Sequence, residues 1–211
     1  YDSESFEVTI CPPFTLLADF INRFVNTKIK IGSQNSSQFE TGAYTGEISV
    51  DMLKDIGVNS VLVGHSERRS IYNETDTIIK KKLNLVLLRS LEAILCVGET
   101  LDERNNNKTS EVVTKQIIDA ITDEQNIHNL SIAYEPLWAI GSGKTPSIEE
   151  IIDVHKSIKN TLKNTFGIKN ASKVSVLYGG SVNQNNSKEI LSLEKVDGVL
   201  VGGASLKFSD F

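Results

Sequence analysis

Proline and cysteine are scarce in this chain, with four and two among 211 residues. So little proline argues against a proline-rich spacer, and 39% hydrophobic against 23% charged residues gives no compositional case for disorder. Cys11 and Cys96 lie far apart inside apolar runs, with no CxxC pair and no Cys/His cluster. That argues against a disulfide framework and a structural zinc site, and reads as buried thiols in a reducing compartment. No apolar stretch approaches the ~18 residues that span a bilayer, and no signal or transit peptide is visible. Basic residues are not in excess either. The net charge of −5 is opposite in sign to what a nucleic-acid binder presents. An anionic ligand would have to be held by local groups against the overall field.

What is present is a regular alternation. Short runs rich in Val, Ile and Leu predict strands at Glu7–Cys11, Lys28–Ser33, Ser60–Gly64, Ala93–Val97, Leu130–Tyr134, Lys173–Tyr178 and Val196–Val201. They show little polar alternation, as parallel strands buried on both faces do. Amphipathic patterns between them predict helices over Thr15–Asn26, Thr75–Arg89, Ser110–Ile121, Ser147–Phe166 and Asn183–Ser192. Ser147 before Ile148-Glu149-Glu150 is an apt helix start, and Gly167 an apt stop. Strand and helix in turn imply an α/β fold with a parallel sheet and right-handed crossovers. Seven strands fit an open doubly wound sheet or an eight-stranded barrel missing one strand, and 211 residues fall short of the ~250 typical of such barrels. We expect one domain over residues 1–211, with Asn105-Asn106-Asn107 as a polar loop insertion.

Four apolar runs end abruptly in small, polar or charged residues, and in parallel α/β folds ligands bind at strand C-termini. Glu135 follows Leu130–Tyr134 and precedes Pro136. It is either a partly desolvated base or a solvated or salt-bridged loop residue. His65 closes Val61-Leu62-Val63-Gly64, as a proton donor, acceptor or carbonyl polariser, or as a packed structural histidine. His128 and His155 read as structural or surface residues beside ordinary polar neighbours; adjacent Glu67 and Arg68 either orient active-site groups through an ion pair or, as charges common on surfaces, give structural support, the favoured reading. Gly141-Ser142-Gly143-Lys144-Thr145 is not a phosphate-binding P-loop, because Trp138 stands where the motif needs its first glycine. A GxGxxG reading fails at Pro146, and a GxSxG nucleophile elbow fails after Ser66. What survives is an anion site built from backbone N–H groups after the last two strands, at Gly179-Gly180-Ser181 and Gly202-Gly203, with a short helix starting near Ala204-Ser205.

Five strings then fall in one order: Thr45–Ser49, Val63–Arg69, Ala133–Thr145, Tyr178–Val182 and Leu200–Leu206. Together they resemble the triosephosphate isomerase family over essentially the whole chain. The resemblance implies a (β/α)8 TIM barrel of which strands 2–8 are recognisable. It also implies interconversion of dihydroxyacetone phosphate and glyceraldehyde 3-phosphate through an enediol(ate), in glycolysis and gluconeogenesis. It makes Glu135 the base, His65 the neutral electrophile and Glu67 the carboxylate beside a lysine site. Gly141, Ser181, Gly202 and Gly203 become backbone donors to the phosphate, and Pro136–Pro146 the lid. No cofactor or metal is implied. The segment Gln34–Gly46 resembles the loop that plugs into a second copy, implying a homodimer, and a glycolytic role implies the cytoplasm.

The family pattern begins with a strand carrying an Asn-x-Lys segment, which is not found ahead of Glu7–Cys11. The expectation is a barrel truncated at both ends, without its first βα unit and most of its last helix, taken from a longer natural chain. Pro146 at the second lid hinge is expected to alter lid mobility. Two other readings predict different outcomes. An inactive barrel with a structural or interaction role would show no isomerase activity. A different barrel enzyme for a phosphorylated substrate would share only the anion site.

Overall fold

Every strand in the sheet pairs with the next strand in the chain, always in parallel. The computed structural model describes residues 6–122, 127–140, 145–207 and 209–210. Its strands are β1 (Thr9–Ile10), β2 (Lys30–Ser33), β3 (Ser60–Val63), β4 (Glu92–Val97), β5 (Leu130–Tyr134), β6 (Ser175–Tyr178) and β7 (Gly198–Val199). They form one seven-stranded sheet in the order β1-β2-β3-β4-β5-β6-β7. A doubly wound sheet reverses direction at a switch point. This one does not, so of the two architectures open from the sequence the winding is that of a (β/α) barrel.

The helices are α1 (Leu17–Phe24), α2 (Val50–Asp55), α3 (Ser66–Ser70), α4 (Asp76–Leu88), α5 (Leu101–Asn105), α6 (Thr109–Ala120), α7 (Ile148–Phe166), α8 (Ile168–Ala171) and α9 (Ser187–Leu191). The expected long helices are present with shifted ends. The Asn183–Ser192 pattern shortens to α9, because Asn186 Oδ1 accepts from Asn183 N at 2.8 Å and holds a turn ahead of the helix. In the Asn105–Asn107 stretch, expected as a polar loop, Asn105 ends α5, and Asn107 turns the chain toward α6 in a left-handed conformation (φ 56°) that Asn tolerates. At α7, Ser147 Oγ accepts from Glu150 N at 3.2 Å and Glu150 Oε2 from Ser147 N at 2.8 Å, a reciprocal cap. The helix stops at Gly167, which has φ 78°.

Side chains alternate between two apolar layers along each strand. Val61, Val63, Leu95, Val97, Ile132, Tyr134, Val176 and Tyr178 join helix residues such as Leu83, Ile117 and Ile158 in the larger core. Leu62, Cys96 and Ala133 face the other way and pack with Cys11, Ile94, Leu177 and Leu200 on the inner face. Burying a Val or Leu is worth roughly 1.5–3 kcal/mol, against the ~1 kcal/mol span of strand propensity. Two-sided packing therefore dominates what holds β3, whose four residues are all buried. Both cysteines are free thiols on this inner face, and burial pushes the Cys11 thiol up to about 11. No helix among the described residues is long and apolar enough to cross a membrane.

Candidate active site

Tyr134 ends β5 facing the helices, so the next residue, Glu135, turns inward at the C-terminal end of the sheet. Its N–H donates to Val97 O at 2.7 Å, which carries the β4–β5 ladder one step past β5. Only 2% of Glu135 is exposed.

His65 stands at the end of β3 and caps α3. Its Nδ1 accepts from Glu67 N at 3.3 Å, so the neutral ring carries its proton on Nε2. Nε2 lies 3.0 Å from Glu135 Oε1, while Glu135 Oε2 accepts from Ser66 N at 2.9 Å. The two candidate residues, 70 positions apart, are in direct contact, and both carboxylate oxygens are engaged. Burial lowers the proton affinity of the imidazole, but hydrogen bonding and attraction to Glu135 raise it by more, so the net shift in this arrangement is upward.

The phosphate candidates sit on the neighbouring strand ends. Gly179 N donates to Tyr134 O at 2.8 Å, and Leu200 N to Tyr178 O at 2.9 Å, which lays the β6 and β7 ends beside Glu135 in turn. Ser181 Oγ donates to Ala139 O at 3.1 Å, tying this loop to the base of the expected lid. Asn186 Nδ2 donates to Ser181 O at 2.9 Å and fixes the loop from behind. Gly202 and Gly203 are exposed after β7, and a single 3-10 turn, Gly203–Leu206, begins there. Gly141 lies outside the described residues. The structure thus brings His65 and Glu135 together and places Ser181, Gly202 and Gly203 on the next two strand ends.

Arg68 takes a structural role: its Nε binds Glu74 Oε1 at 2.6 Å, and its guanidinium lies 4.6 Å from the Tyr72 ring centroid. Exposed Glu67 acts through its backbone N–H on His65. His155 is not beside ordinary polar neighbours but fully buried, its Nδ1 3.1 Å from Lys195 O and its ring against Tyr134 and Tyr178.

Sequence reasoning missed Glu99, which is 0% exposed. It accepts from Trp138 Nε1 at 2.8 Å and from the Tyr134 hydroxyl at 3.1 Å, with Arg104 Nη1 3.6 Å away. Arg104 also binds Glu150 and lies 4.2 Å from the Trp138 ring centroid. The rule that found Glu135 applies here as well, since Gly98-Glu99 follows the apolar run of β4.

A family model described as triosephosphate isomerase matches residues 1–211. The triosephosphate isomerase of Alkaliphilus oremlandii is 45% identical over 207 residues, covering 97% of this chain and 84% of its own. That of Flavobacterium psychrophilum is 46% identical over 207 residues, with 97% and 83% covered. The crystal structure of triosephosphate isomerase from Bartonella henselae superposes with a TM-score of 0.89 at 41% identity, covering 97% of this chain and 83% of that one. A parallel sheet in chain order, His65 against Glu135 at its C-terminal end and similarity along nearly the whole length agree: this chain belongs to the triosephosphate isomerase family and is an isomerase of the TIM-barrel fold.

Proposed function

We propose that Glu135 and His65 perform the proton transfers that interconvert dihydroxyacetone phosphate and D-glyceraldehyde 3-phosphate. The observation that carries this reading is the 3.0 Å contact between His65 Nε2 and Glu135 Oε1, with Nδ1 held by Glu67 N. That bond at Nδ1 leaves Nε2–H aimed inward as a donor. To reach substrate carbon, the carboxylate turns away from His65 and Ser66. The same movement frees Nε2–H for the substrate's carbonyl oxygen. It also removes the strongest influence raising the imidazole's proton affinity, leaving burial, which favours the neutral ring. Glu135 then takes a proton from one carbon and returns it to its neighbour, while His65 moves protons between the enediolate oxygens. No redox step is involved, and the transfers use side chains alone.

Backbone N–H groups of Gly141, Ser181, Gly202 and Gly203 hold the phosphate, which suits an acidic protein with an anionic substrate. The lid, Pro136–Pro146, excludes water during the reaction. Residues 1–211 act as one barrel domain. A homodimer through Gln34–Gly46 is supported by Phe39 and Tyr44, whose rings stack at 4.2 Å while 37% and 44% exposed. Two free thiols fit a cytoplasmic location.

The test is the rate at which the purified full-length protein converts glyceraldehyde 3-phosphate to dihydroxyacetone phosphate. Removing a general base costs about 10²–10⁴-fold, so Glu135→Ala should lose at least about 100-fold in kcat. Full activity in that variant overturns the assignment of the base, and inactivity of the folded wild type favours the structural-protein reading.

A further inference from the structure

The strip Val97–Glu99 continues β4 past its last ladder residue and carries the base from one side. Val97 O accepts from Glu135 N at 2.7 Å, and Glu99 O accepts from Leu137 N at 3.1 Å. Backbone groups alternate in direction along an extended strip, so Gly98 turns its own N–H and C=O away from residues 135–137. Both need partners. A single side chain supplies them. Gln116, half-buried on α6, accepts from Gly98 N through Oε1 at 2.8 Å and donates to Gly98 O through Nε2 at 3.0 Å. The carboxamide pairs with the peptide as another strand would. Gly98 in turn is packed against the peptide of Glu135, with no room for a side chain between them. A slip of Gly98 is therefore a slip of the base.

We propose that Gln116 is a positioning residue for the isomerisation, holding Gly98 with both ends of its carboxamide so that Glu135 meets the substrate carbon correctly. This rests on the reading of Glu135 as the base. Gln116 itself touches neither His65 nor the phosphate loops in the bonds it makes, so its effect should fall on the chemical step and spare binding. Misplacing a reacting group by about 1 Å costs on the order of 10²-fold.

The experiment measures kcat and KM for glyceraldehyde 3-phosphate in the full-length protein, with inorganic phosphate as competitive inhibitor. Gln116→Met keeps the side-chain length and removes both bonds. It should lower kcat about 10- to 100-fold, with KM and phosphate inhibition within about twofold. Gln116→Glu keeps the acceptor for Gly98 N and sets an oxygen against Gly98 O; it should lose at least about 5-fold in kcat and serves if the Met variant does not fold. Combining Gln116→Met with Glu135→Asp, which already withdraws the carboxylate, should add less than about 3-fold. Wild-type kcat in both Gln116 variants, an undiminished further loss on Glu135→Asp, or parallel losses in kcat and phosphate affinity overturns the proposal. If Glu135→Asp alone leaves kcat unchanged, the reading of the base fails instead, and this inference with it.

Discussion

A β-carbon at Gly98 would stand 1.8 Å from the peptide oxygen of Glu135 and 2.7 Å from its carbonyl carbon. No side-chain rotation relieves that overlap, because both sides of it are backbone. Glu135 is thus seated on a strip that accepts no side chain at its middle residue, and Gly98→Ala must push β4 and Glu135 apart. Overpacking of this kind costs roughly 1–3 kcal/mol of stability. The accompanying shift of Glu135 should lower kcat by about 100-fold. Thermal melting and steady-state rates check both; a variant with native stability and rate would show that the strip yields without moving Glu135.

His155 links folding to pH. Burial pulls its imidazole down from 6.5 to about 4, and its Nε2 has no hydrogen-bond partner among the described residues. Between those values the unfolded chain binds a proton that the folded chain excludes. Stability from this group is therefore complete above pH 6.5 and is lost as pH falls toward 4. The span amounts to about 3 kcal/mol. Urea unfolding of wild type and His155→Gln at a series of pH values removes the carboxylate contributions common to both. The stability gap between them should narrow by about that amount from pH 7 to pH 4, and a constant gap would refute the linkage.

Glu99 joins Trp138 to Tyr134 at the end of β5. Glu99→Leu withdraws the acceptor used by the Trp138 indole and the Tyr134 hydroxyl, and takes a carboxylate from beside Arg104. The Tyr134 hydroxyl, a buried donor that loses this acceptor, costs about 1–3 kcal/mol, and the part-buried indole and the Arg104 guanidinium add to it. We expect a loss of roughly 2–4 kcal/mol in urea unfolding. Trp138 is the only tryptophan in the chain, so a shift in its fluorescence should accompany the loss. An unchanged emission spectrum would mean that Glu99 does not hold Trp138.

Some of this was legible in the sequence. Two-sided burial shows as unbroken runs such as Val61-Leu62-Val63 and Ile132-Ala133-Tyr134, and the limits of α7 show in Ser147, Glu150 and Gly167, because caps act within a turn or two. His65 and Glu135 were visible as polar residues at the ends of apolar runs. Gln116 carried no signal, since an amide in the middle of an amphipathic helix is ordinary until a backbone strip without a neighbouring strand lies opposite it. The five-residue helix α3 was also silent, because an imidazole takes the place of the usual Ser, Thr, Asp or Asn cap. The sequence does not choose between a structural and a surface His155, because which face of α7 turns to the sheet depends on the partner it packs against.

The sequence by itself determined the succession of strands and helices, their parallel direction and the family pattern, since these follow from burial and capping along short stretches of chain. The alternation alone left open whether seven strands wind in one direction or reverse; the family pattern implied the barrel, and the pairing of each strand with its successor agrees with it. The contact that makes a site also belongs to the tertiary structure. Glu135 Oε2 lies 2.9 Å from Ser66 N across 69 positions of sequence. Local periodicity cannot encode that distance, which is set by the β3–β4–β5 ladder and by the close seat of Glu135 on Gly98.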